Sequence, residues 1–352
     1  MTSLALHVEH ATLRRFVSQI FRAAGCRPPE DERVARYLVE SNLVGHDSHG
    51  VIRVPTYVRF LREGKVVANV QPRVVLEGEC LAIIDGQYGF GQTVGEAAMD
   101  LGLARCARHG VAVVGVRNCG HLGRIGDWPQ RCCEAGMFSL HFVNTSGLGI
   151  LVAPHGGIDR RLSANPIAAG VPMPDGKHII LDISTSAIAE GKIRVAYNKG
   201  VHVPEGCLID AEGRPTSDPQ VFYGTPPGAI LPFGGHKGYG LGIIAELLAG
   251  ALAGGGCSRP GVERLSNGWL AVILDPRRFG DVQAMAAEMQ RFVEYVKSSR
   301  RAHPQAEILM PGELEERTKA ARLSQGIPLD ETTWRQIVET AESLGVNAPP
   351  LA

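Results

Sequence analysis

The segment GHDSHGVIRV, residues 45–54, places two histidines, a serine and an arginine close together in the chain. His49 follows Ser48 and precedes a glycine, and Arg53 comes four residues later. An imidazole titrates near neutral pH and can exchange a proton with a hydroxyl group, whereas a guanidinium can hold a carboxylate through two parallel hydrogen bonds. His49 and Arg53 together could therefore act on a 2-hydroxy or 2-oxo acid. The same pattern also fits a helix cap followed by a surface arginine.

Two further positions carry side chains that could take part in proton transfer or phosphate binding. His121, in RNCGHLGRIGDW, lies just after a predicted strand, at the end of a sheet where α/β proteins tend to bind ligands. It is a second acid/base candidate, and a structural hydrogen bond is the alternative. Asp182 ends the predicted strand HIILDI and precedes STSAIAEGK. Its carboxylate could orient an imidazole while the hydroxyl-rich helix start receives a phosphate, or it could cap that helix.

Two glycine-rich segments bear on cofactor binding. GFGQTVG, residues 89–95, has the spacing G-x-G-x-x-x-G, one residue longer than the dinucleotide fingerprint, and no acidic residue ends the next strand, VAVVGV. We therefore expect no classical Rossmann site. GGHKGYGLG lacks the Lys-Ser/Thr pair of a P-loop, but it opens a helix with a lysine and several free backbone donors, as a phosphate site requires. A glycine-rich helix start with a solvated lysine is the alternative.

The composition narrows the classes of function. Among 352 residues, 36 lysines and arginines balance 36 aspartates and glutamates, so no basic excess would attract nucleic acid or an anionic membrane. The N-terminus has no basic region followed by an apolar core, and no window approaches the roughly 20 apolar residues of a membrane span. We expect a cytoplasmic protein that acts on a small molecule. The eight cysteines include no C-x-x-C motif, which favours reduced thiols and no metal site.

Helical patterns dominate both ends of the chain, and strand patterns dominate its middle. Apolar residues at helical spacing predict helices over residues 9–25, 28–44, 54–64, 313–324 and 331–344. His49 then lies in the turn between the second and third helices. The middle begins with the order strand, helix, strand, helix, strand, which predicts crossover units in a sheet. We expect the helical ends, residues 1–70 and 301–352, to pack together, with a mixed α/β region, residues 71–300, inserted between them.

Seven segments follow one another in order between about residues 10 and 340: GHDSHGVIRVPTYV, NCGHLGRIGDW, SANPIAAGVP, LDISTSAIAEGK, VPEGCLIDAEGRPTSDP, FGGHKGYGLG and ILMPGELEERTKAARLSQGIPL. Together they resemble the malate/L-lactate dehydrogenase family, which is distinct from the classical Rossmann lactate and malate dehydrogenases. Within this family, the runs AGMFSLHFV and HKGYGL are most similar to the bacterial hydroxycarboxylate dehydrogenase branch.

The resemblance implies a fold, an assembly and an activity. The fold would be an α/β, mixed-sheet, nicotinamide-binding fold of the type 2 malate/L-lactate dehydrogenases, with a helical domain formed by both chain ends. The assembly would be a homodimer. The enzyme would use NAD or NADP to reduce 2-oxo acids or cyclic imino acids, or to oxidise the corresponding hydroxy acids. The absence of a dinucleotide fingerprint agrees with such a fold.

The resemblance also implies roles for individual residues. His49 would be the proton donor and acceptor, with Ser48 beside it and Arg53 on the substrate carboxylate. His121 matches a histidine with a catalytic role in some members of the family. Asp182 matches the acid that precedes the cofactor-binding turn. The positions that match the cofactor side of the site are Ser184, Thr185, Ser186, His236, Lys237, Pro311, Gly312 and Glu313.

Two departures from the family concern the substrate side. Thr145 is expected near the substrate, but it opens NTSGLG at a variable segment whose glycines leave the specificity open. Gly120 stands where relatives often have a second histidine. The residues therefore leave open the side chain of the substrate, the choice between a keto acid and a cyclic imine, and the choice between NAD and NADP. They also leave open which histidine carries the proton, and a catalytically idle dinucleotide-binding protein is a further alternative.

Overall fold

The computed structural model describes residues 6–350, apart from the side chains of residues 198 and 199. Its N-terminal part is mainly helical. It contains strand β1 (Leu6–Val8), helices α1 (His10–Ala23) and α2 (Glu30–Leu43), two 3₁₀ turns (Asp47–His49 and Val51–Arg53) and helix α3 (Val54–Arg62). The helical spacing of apolar residues explains the orientation of α1, because Leu13, Phe16, Val17 and Ile20 fall on one face and are buried. The two turns replace a continuous helix at the segment that carries His49.

The middle of the chain builds a seven-stranded sheet and the segments that cover it. The first elements are β2 (Arg73–Glu77), β3 (Leu81–Asp85), α4 (Gly91–His109), β4 (Val111–Cys119), α5 (Asp127–Glu134), β5 (Phe138–Ser146), β6 (Ile167–Val171) and β7 (Ile179–Ile183). They are followed by α6 (Glu190–Lys199), β8 (Leu208–Ile209), β9 (Pro215–Thr216), α7 (Pro219–Phe222), β10 (Ala229–Ile230), α8 (His236–Glu246), a π-helical turn (Leu247–Leu252), β11 (Ser266–Leu274) and α9 (Val282–Lys297). Strands β8, β9 and β10 form a separate small sheet.

The order of strands in the large sheet is β2-β3-β4-β11-β5-β6-β7. The neighbours β3 and β4 are parallel, as the predicted crossover through α4 requires, and the other neighbouring pairs are antiparallel. The crossover through α5 does not connect neighbouring strands, because β11 lies between β4 and β5. Four strands, β3, β4, β5 and β7, therefore run in one direction, and their carboxyl ends lie at one edge of the sheet.

The two ends of the chain share one hydrophobic core, as predicted. The last elements are α10 (Glu313–Gln325), β12 (Ile327–Leu329) and α11 (Glu331–Glu342). Ile327 and Ile337 are buried in the same cluster as Leu13 and Phe16 of α1. The short strands β1 and β12, which the periodicity did not predict, pair antiparallel and join the first described residues to the C-terminal helices. The boundaries at residues 70 and 300 stay a prediction.

The turn GFGQTVG leads into α4, but its glycines pack against the protein itself. A Cβ atom at Gly91 would lie 2.1 Å from the carbonyl oxygen of His121, and one at Gly95 would lie 2.3 Å from the ring of Trp128. Real Cβ atoms do not approach other atoms so closely, so these glycines are required by packing between α4 and the segment after β4. Protein atoms thus occupy the space that a pyrophosphate would take in a Rossmann turn.

Helices α9 and α10 both lack buried residues, and α9 in addition exposes large aromatic side chains. None of its 16 residues is buried, and its side chains Phe292 and Tyr295 are 52% and 69% exposed. Phe279, just before this helix, is 65% exposed. Such aromatic exposure on one element is unusual for a surface that faces only water. Within residues 6–350, no helix combines the length and apolar composition needed to cross a bilayer.

Candidate active site

The structure brings His49 and His121 together from distant parts of the chain. His49 ends the first 3₁₀ turn after α2, and His121 comes two residues after β4. Their imidazole rings are stacked, with centroids 5.5 Å apart and an angle of 15° between the planes. We call these two residues the histidine pair. Two neutral or partly neutral imidazoles at this distance can address the same substrate atom or adjacent ones.

The surroundings of His49 are formed by its own turn and by the start of α6. The Ser48 hydroxyl oxygen lies 3.0 Å from His49 Nδ1, so one of the two groups donates a hydrogen bond to the other. Arg53 Nε donates to the carbonyl oxygen of Ser48 at 2.7 Å. A Cβ atom at Gly191, in the first turn of α6, would lie 2.6 Å from Ser48 Cβ, so only glycine allows this contact.

Arg53 has the geometry of a carboxylate-binding residue. Its Nε atom is used by the backbone of Ser48, which fixes the plane of the guanidinium. In the part of the chain that the structure describes, no hydrogen bond engages its two terminal nitrogens. Those nitrogens are the pair that binds a carboxylate through two parallel hydrogen bonds. The charge of Arg53 acts on both histidines, because it contributes to lowering the pKa of each.

Two connected side-chain hydrogen bonds, which were not predicted from the sequence, orient His121. The Tyr57 hydroxyl lies 2.7 Å from His121 Nδ1, and Gln92 Nε2 donates to the Tyr57 oxygen at 3.4 Å. Burial raises the pKa of Tyr57 to about 12, so this hydroxyl keeps its proton at neutral pH. With its oxygen accepting from Gln92, Tyr57 donates its proton to Nδ1. A neutral His121 then carries its own proton on Nε2, the nitrogen that remains available to a ligand.

Both imidazoles are held in the neutral state in the absence of substrate. Burial lowers the pKa of His121 to about 3, and the positive charge of Arg53 adds to this effect. Burial also places the pKa of His49 well below its usual value, with further contributions from His121 and Arg53. An anionic substrate beside Arg53 would reduce the positive potential and make protonation of either ring easier.

Thr145, which was predicted to lie near the substrate, is at the same edge of the sheet as His121. Thr145 is near the carboxyl end of β5, which runs in the direction of β4. Asn267, on β11 between these strands, donates to Thr145 Oγ1 at 2.8 Å and accepts from the backbone N–H of Leu122 at 2.9 Å. Asn267 thereby links Thr145 to the residue next to His121. Asn267 could not be identified from the sequence, because its partners lie on β5 and in the segment after β4.

The predicted cofactor residues of two segments meet in the structure. Ser186 pairs with Pro232 in an isolated bridge, and Phe233 N–H donates to Thr185 O at 3.1 Å. Ser184 Oγ lies 3.0 Å from Ser186 Oγ. The chain then passes directly into α8, whose first residues are His236 and Lys237, both exposed.

The beginning of α8 fits a dinucleotide phosphate. Gly234 and Gly235 have positive φ angles of 55° and 62°, and no side chain caps the helix. Lys237 adds a positive charge to the partial positive charge of the helix start. Backbone that can approach a ligand closely, an uncapped helix start and a lysine form the donor set that phosphate groups require. Within residues 6–350, no group of three or more His, Cys, Asp or Glu residues could hold a metal ion.

The surroundings of Asp182 differ from the prediction that it caps the next helix or orients an imidazole. The helix expected directly after it begins only at Glu190, because residues 184–189 are not helical and Ser186 pairs with Pro232. The half-buried Asp182 carboxylate accepts from the backbone N–H of Gly126 at 2.8 Å, and it bonds no imidazole within the described residues. It neither caps α6 nor forms a hydrogen bond to a histidine. It fastens the segment that follows His121 to strand β7.

The third predicted cofactor segment lies further along the edge strand. Pro311 O accepts from Ile180 N–H at 3.0 Å, near the beginning of β7 and four residues before Ser184. Gly312 has a φ angle of 100° and packs on the same strand. The carboxylate of Glu313 accepts from Met310 N–H and pairs with Lys297. Glu313 therefore closes the turn before α10, and this contact occupies part of its hydrogen-bonding capacity.

A buried ion pair near His49 was also not predicted from the sequence. Arg124 Nη1 donates to Asp127 Oδ1 at 2.8 Å, and the two residues are 2% and 9% exposed. Burial raises the pKa of Asp127 to about 7. The signal was present in GRIGDW, because an arginine and an acid three residues apart lie on one side of a helical turn. Arg124 is close enough to His49 to add to the depression of the pKa of that histidine.

Comparisons with known proteins agree with this arrangement. Residues 8–338 match the family model described as malate/L-lactate dehydrogenase. Hydroxycarboxylate dehydrogenase B of Escherichia coli K12 is 40% identical over 340 residues, which cover 95% of this chain and 93% of that protein. The structure of a putative malate/lactate dehydrogenase from E. coli has a TM-score of 0.93 at 39% identity and covers 97% of this chain and 96% of its own.

A third relative is named for a different substrate. The delta1-piperideine-2-carboxylate reductase from Pseudomonas syringae pvar. tomato has a TM-score of 0.83 at 29% identity and covers 95% of this chain and 99% of its own. The family model spans most of the chain, and the E. coli relative is 40% identical over nearly its full length. The chain therefore belongs to the malate/L-lactate dehydrogenase family.

Proposed function

We propose that this protein is a dehydrogenase that transfers a hydride between NAD or NADP and C2 of a 2-hydroxy or 2-oxo carboxylic acid. The observation that carries the proposal is the stacked histidine pair beside Arg53, whose two terminal nitrogens have no partner within the described chain. Relatives named as L-lactate, malate and L-sulfolactate dehydrogenases support the substrate class. The similarity to a piperideine-carboxylate reductase supports a cyclic imino acid as the second candidate.

In this proposal each residue has a distinct task. Arg53 holds the substrate carboxylate, and Thr145 borders the substrate near C2. His49 exchanges a proton with the oxygen on C2, and His121 donates a hydrogen bond from Nε2 to the same oxygen. The bound nicotinamide supplies or receives the hydride. The protein contributes proximity and a positioned proton carrier, which together account for much of the rate enhancement in such reactions.

The cofactor is proposed to lie along the edge where β4, β5 and β7 end. Its phosphates would be bound by the start of α8 with His236 and Lys237, and by the turn formed by Ser184, Thr185 and Ser186. Asp182 supports this turn from the preceding strand. Pro311, Gly312 and Glu313 would border a more distant part of the dinucleotide. No acidic residue at the end of β4 is available to read a ribose hydroxyl, so the choice between NAD and NADP depends on other contacts.

We expect His49→Ala to lower turnover of a 2-oxo acid by about 100-fold or more, the usual contribution of a positioned acid/base. The dinucleotide dissociation constant should not change. His121→Ala should have a smaller effect, since it removes a hydrogen bond and not the proton carrier. Wild type is first assayed on a panel of 2-oxo acids and cyclic imino acids with NADH and NADPH, and both variants are then assayed on the best substrate.

Three outcomes of this assay would change the proposal. If His121→Ala is the inactive variant, the two histidines exchange roles. If the cyclic imines react and the keto acids do not, the second candidate is correct. If wild type binds the dinucleotide and turns over no member of either class, the protein is an idle dinucleotide-binding protein.

Arg53→Lys should raise the Michaelis constant for the acid substrate by at least about 10-fold, because a single ammonium cannot reproduce the planar two-bond contact of a guanidinium. The amide analogue of the same substrate serves as the control, and its kinetics should be nearly the same for the variant and the wild type. Steady-state assays on both compounds measure the difference. An equal loss on acid and amide would mean that Arg53 acts through its bond to Ser48 O and not on the carboxylate.

Lys237→Ala should weaken dinucleotide binding, and added salt should weaken binding to wild type more than to this variant, because screening acts on the charge that was removed. Lys65→Ala is the matched control, since it removes an equal charge from a lysine paired with Glu63. Isothermal titration of NADH and NADPH at two salt concentrations would measure both effects. Unchanged affinity and an unchanged salt dependence in Lys237→Ala would remove this residue from the cofactor site.

We also propose that the protein is a homodimer in which the second copy covers α9. A helix of 16 residues with none buried gains little stability from its own chain. The double variant Phe292→Ser, Tyr295→Ser should shift the sedimentation mass from twice 37.7 kDa towards 37.7 kDa. Val75→Ser, at an apolar residue 46% exposed on β2, should leave the mass unchanged. A wild-type protein that sediments as a monomer contradicts the proposal.

A further inference from the structure

One buried side chain spans the turn that carries His49. Asn42, at the end of α2, is 1% exposed. Its Nδ2 donates to Asp47 Oδ1 at 2.6 Å, and its Oδ1 accepts from the backbone N–H of Val51 at 2.8 Å. The two contacts lie on either side of Ser48 and His49. The amide of Asn42 therefore fixes both ends of the segment that presents the histidine.

An arginine from the other end of the chain completes this arrangement. Arg322, on α10, donates from Nη1 to Asp47 Oδ1 at 2.6 Å and from Nη2 to Asp47 Oδ2 at 3.0 Å. Its Nη1 also donates to the backbone oxygen of Asn42. The Arg322 side chain is 17% exposed and that of Asp47 is 51% exposed, so the contact is shielded from water on the Arg322 side only. We call Asn42, Asp47 and Arg322 the turn clamp.

The glycine after His49 is required by the same clamp. A Cβ atom at Gly50 would lie 2.2 Å from Asn42 Oδ1 and 2.4 Å from its Cγ. Asn42 could not then lie flat against the turn, and its bonds to Asp47 and Val51 would be lost. This explains physically why glycine follows the histidine in DSHG, although the φ angle of Gly50, −86°, is open to any residue.

The turn has little regular structure of its own to fix the imidazole. The 3₁₀ turn Asp47–His49 is followed by a second one, Val51–Arg53, with an extended residue between them. Bonds of this kind have poorer geometry than those of an α-helix. The position of the turn therefore depends on contacts from outside it, and the charge-assisted, two-bond contact of Arg322 is the strongest type among them.

We propose that the turn clamp positions His49 for the reaction, and that Arg322 is a positioning residue although it touches no reacting atom. This inference rests on the proposed function of the histidine pair. A displacement of about 1 Å in a catalytic group can cost about 100-fold in rate. Loss of the clamp should therefore lower turnover strongly while the fold and the dinucleotide site persist.

The neighbouring ion pair of the same two helices offers a matched control. Lys319, one turn before Arg322 on α10, pairs with Glu40 on α2. This pair joins the same helices as the clamp, but among the described residues neither side chain forms a hydrogen bond or an ion pair with residues 47–51. Lys319→Gln therefore tests whether any weakening of the contact between α10 and α2 is enough to change the reaction.

The experiment compares Arg322→Gln, Arg322→Lys and Lys319→Gln. Arg322→Gln should lower kcat by about 10- to 100-fold with the dinucleotide dissociation constant unchanged, and Arg322→Lys should recover part of the loss because it keeps the charge. Lys319→Gln should keep the wild-type kcat. Combined with His49→Ala, Arg322→Gln should cause little further loss, since there is no longer an imidazole to position.

Specific results would overturn the proposal. Equal losses in Arg322→Gln and Lys319→Gln, or a full additional loss in the His49→Ala background, would mean that Arg322 acts only on stability. Normal kcat in a folded Arg322→Gln protein would exclude the clamp while leaving the proposed function intact. If wild type turns over no substrate, hydrogen exchange remains decisive: the Val51 amide should exchange faster in Arg322→Gln than in Lys319→Gln, and equal rates would refute the clamp.

Discussion

The insertion of β11 between β4 and β5 is the constraint on which the site depends. At the edge where those two strands end, β11 carries Asn267 at an irregularity in its register with β4. The buried Asn267 amide donates to Asn144 O and Thr145 Oγ1 and accepts from Leu122 N–H. Bulges often redirect a side chain beside an active site. Here the amide fixes the segment of His121 relative to the segment of Thr145, so these two segments cannot move independently.

The electrostatics of the site follow from the same burial. Removal of water depresses the pKa of His49 and His121, and the charge of Arg53 depresses both further. Before substrate binds, the site thus holds one fixed positive charge and two neutral imidazoles. An anionic ligand is favoured by this charge, and its arrival is what makes proton exchange with an imidazole less costly. In the proposed function, binding of the carboxylate and protonation of an imidazole are therefore coupled through Arg53.

Much of the fold and part of the site could be predicted from the sequence because they depend on local patterns. Helical periodicity identified α1, α2 and α3, and the break between the last two located His49 in a turn. His121 was predictable because it follows a strand. The contacts that orient these residues were not predictable, since Tyr57, Asn267 and Arg322 reach them only after distant segments pack together. The non-helical turn at Ser186 was not predicted because its partner, Pro232, belongs to another loop.

The distance between the two histidines is set by two different cores. The turn of His49 is attached through the buried Val51 to the core shared by the chain ends, and His121 follows a strand of the sheet core. Helices α2 and α4 join these cores: Glu96 on α4 pairs with Arg33 and Arg36 on α2, and Thr93 Oγ1 donates to the buried Glu30. In each of these contacts, both partners are charged or polar. Such directional contacts specify one relative position of the two helices, whereas an apolar contact would allow one helix to shift along the other. The stacking of the histidine pair is thus a consequence of how the helical ends are fastened to the sheet, and neither core alone could form the site.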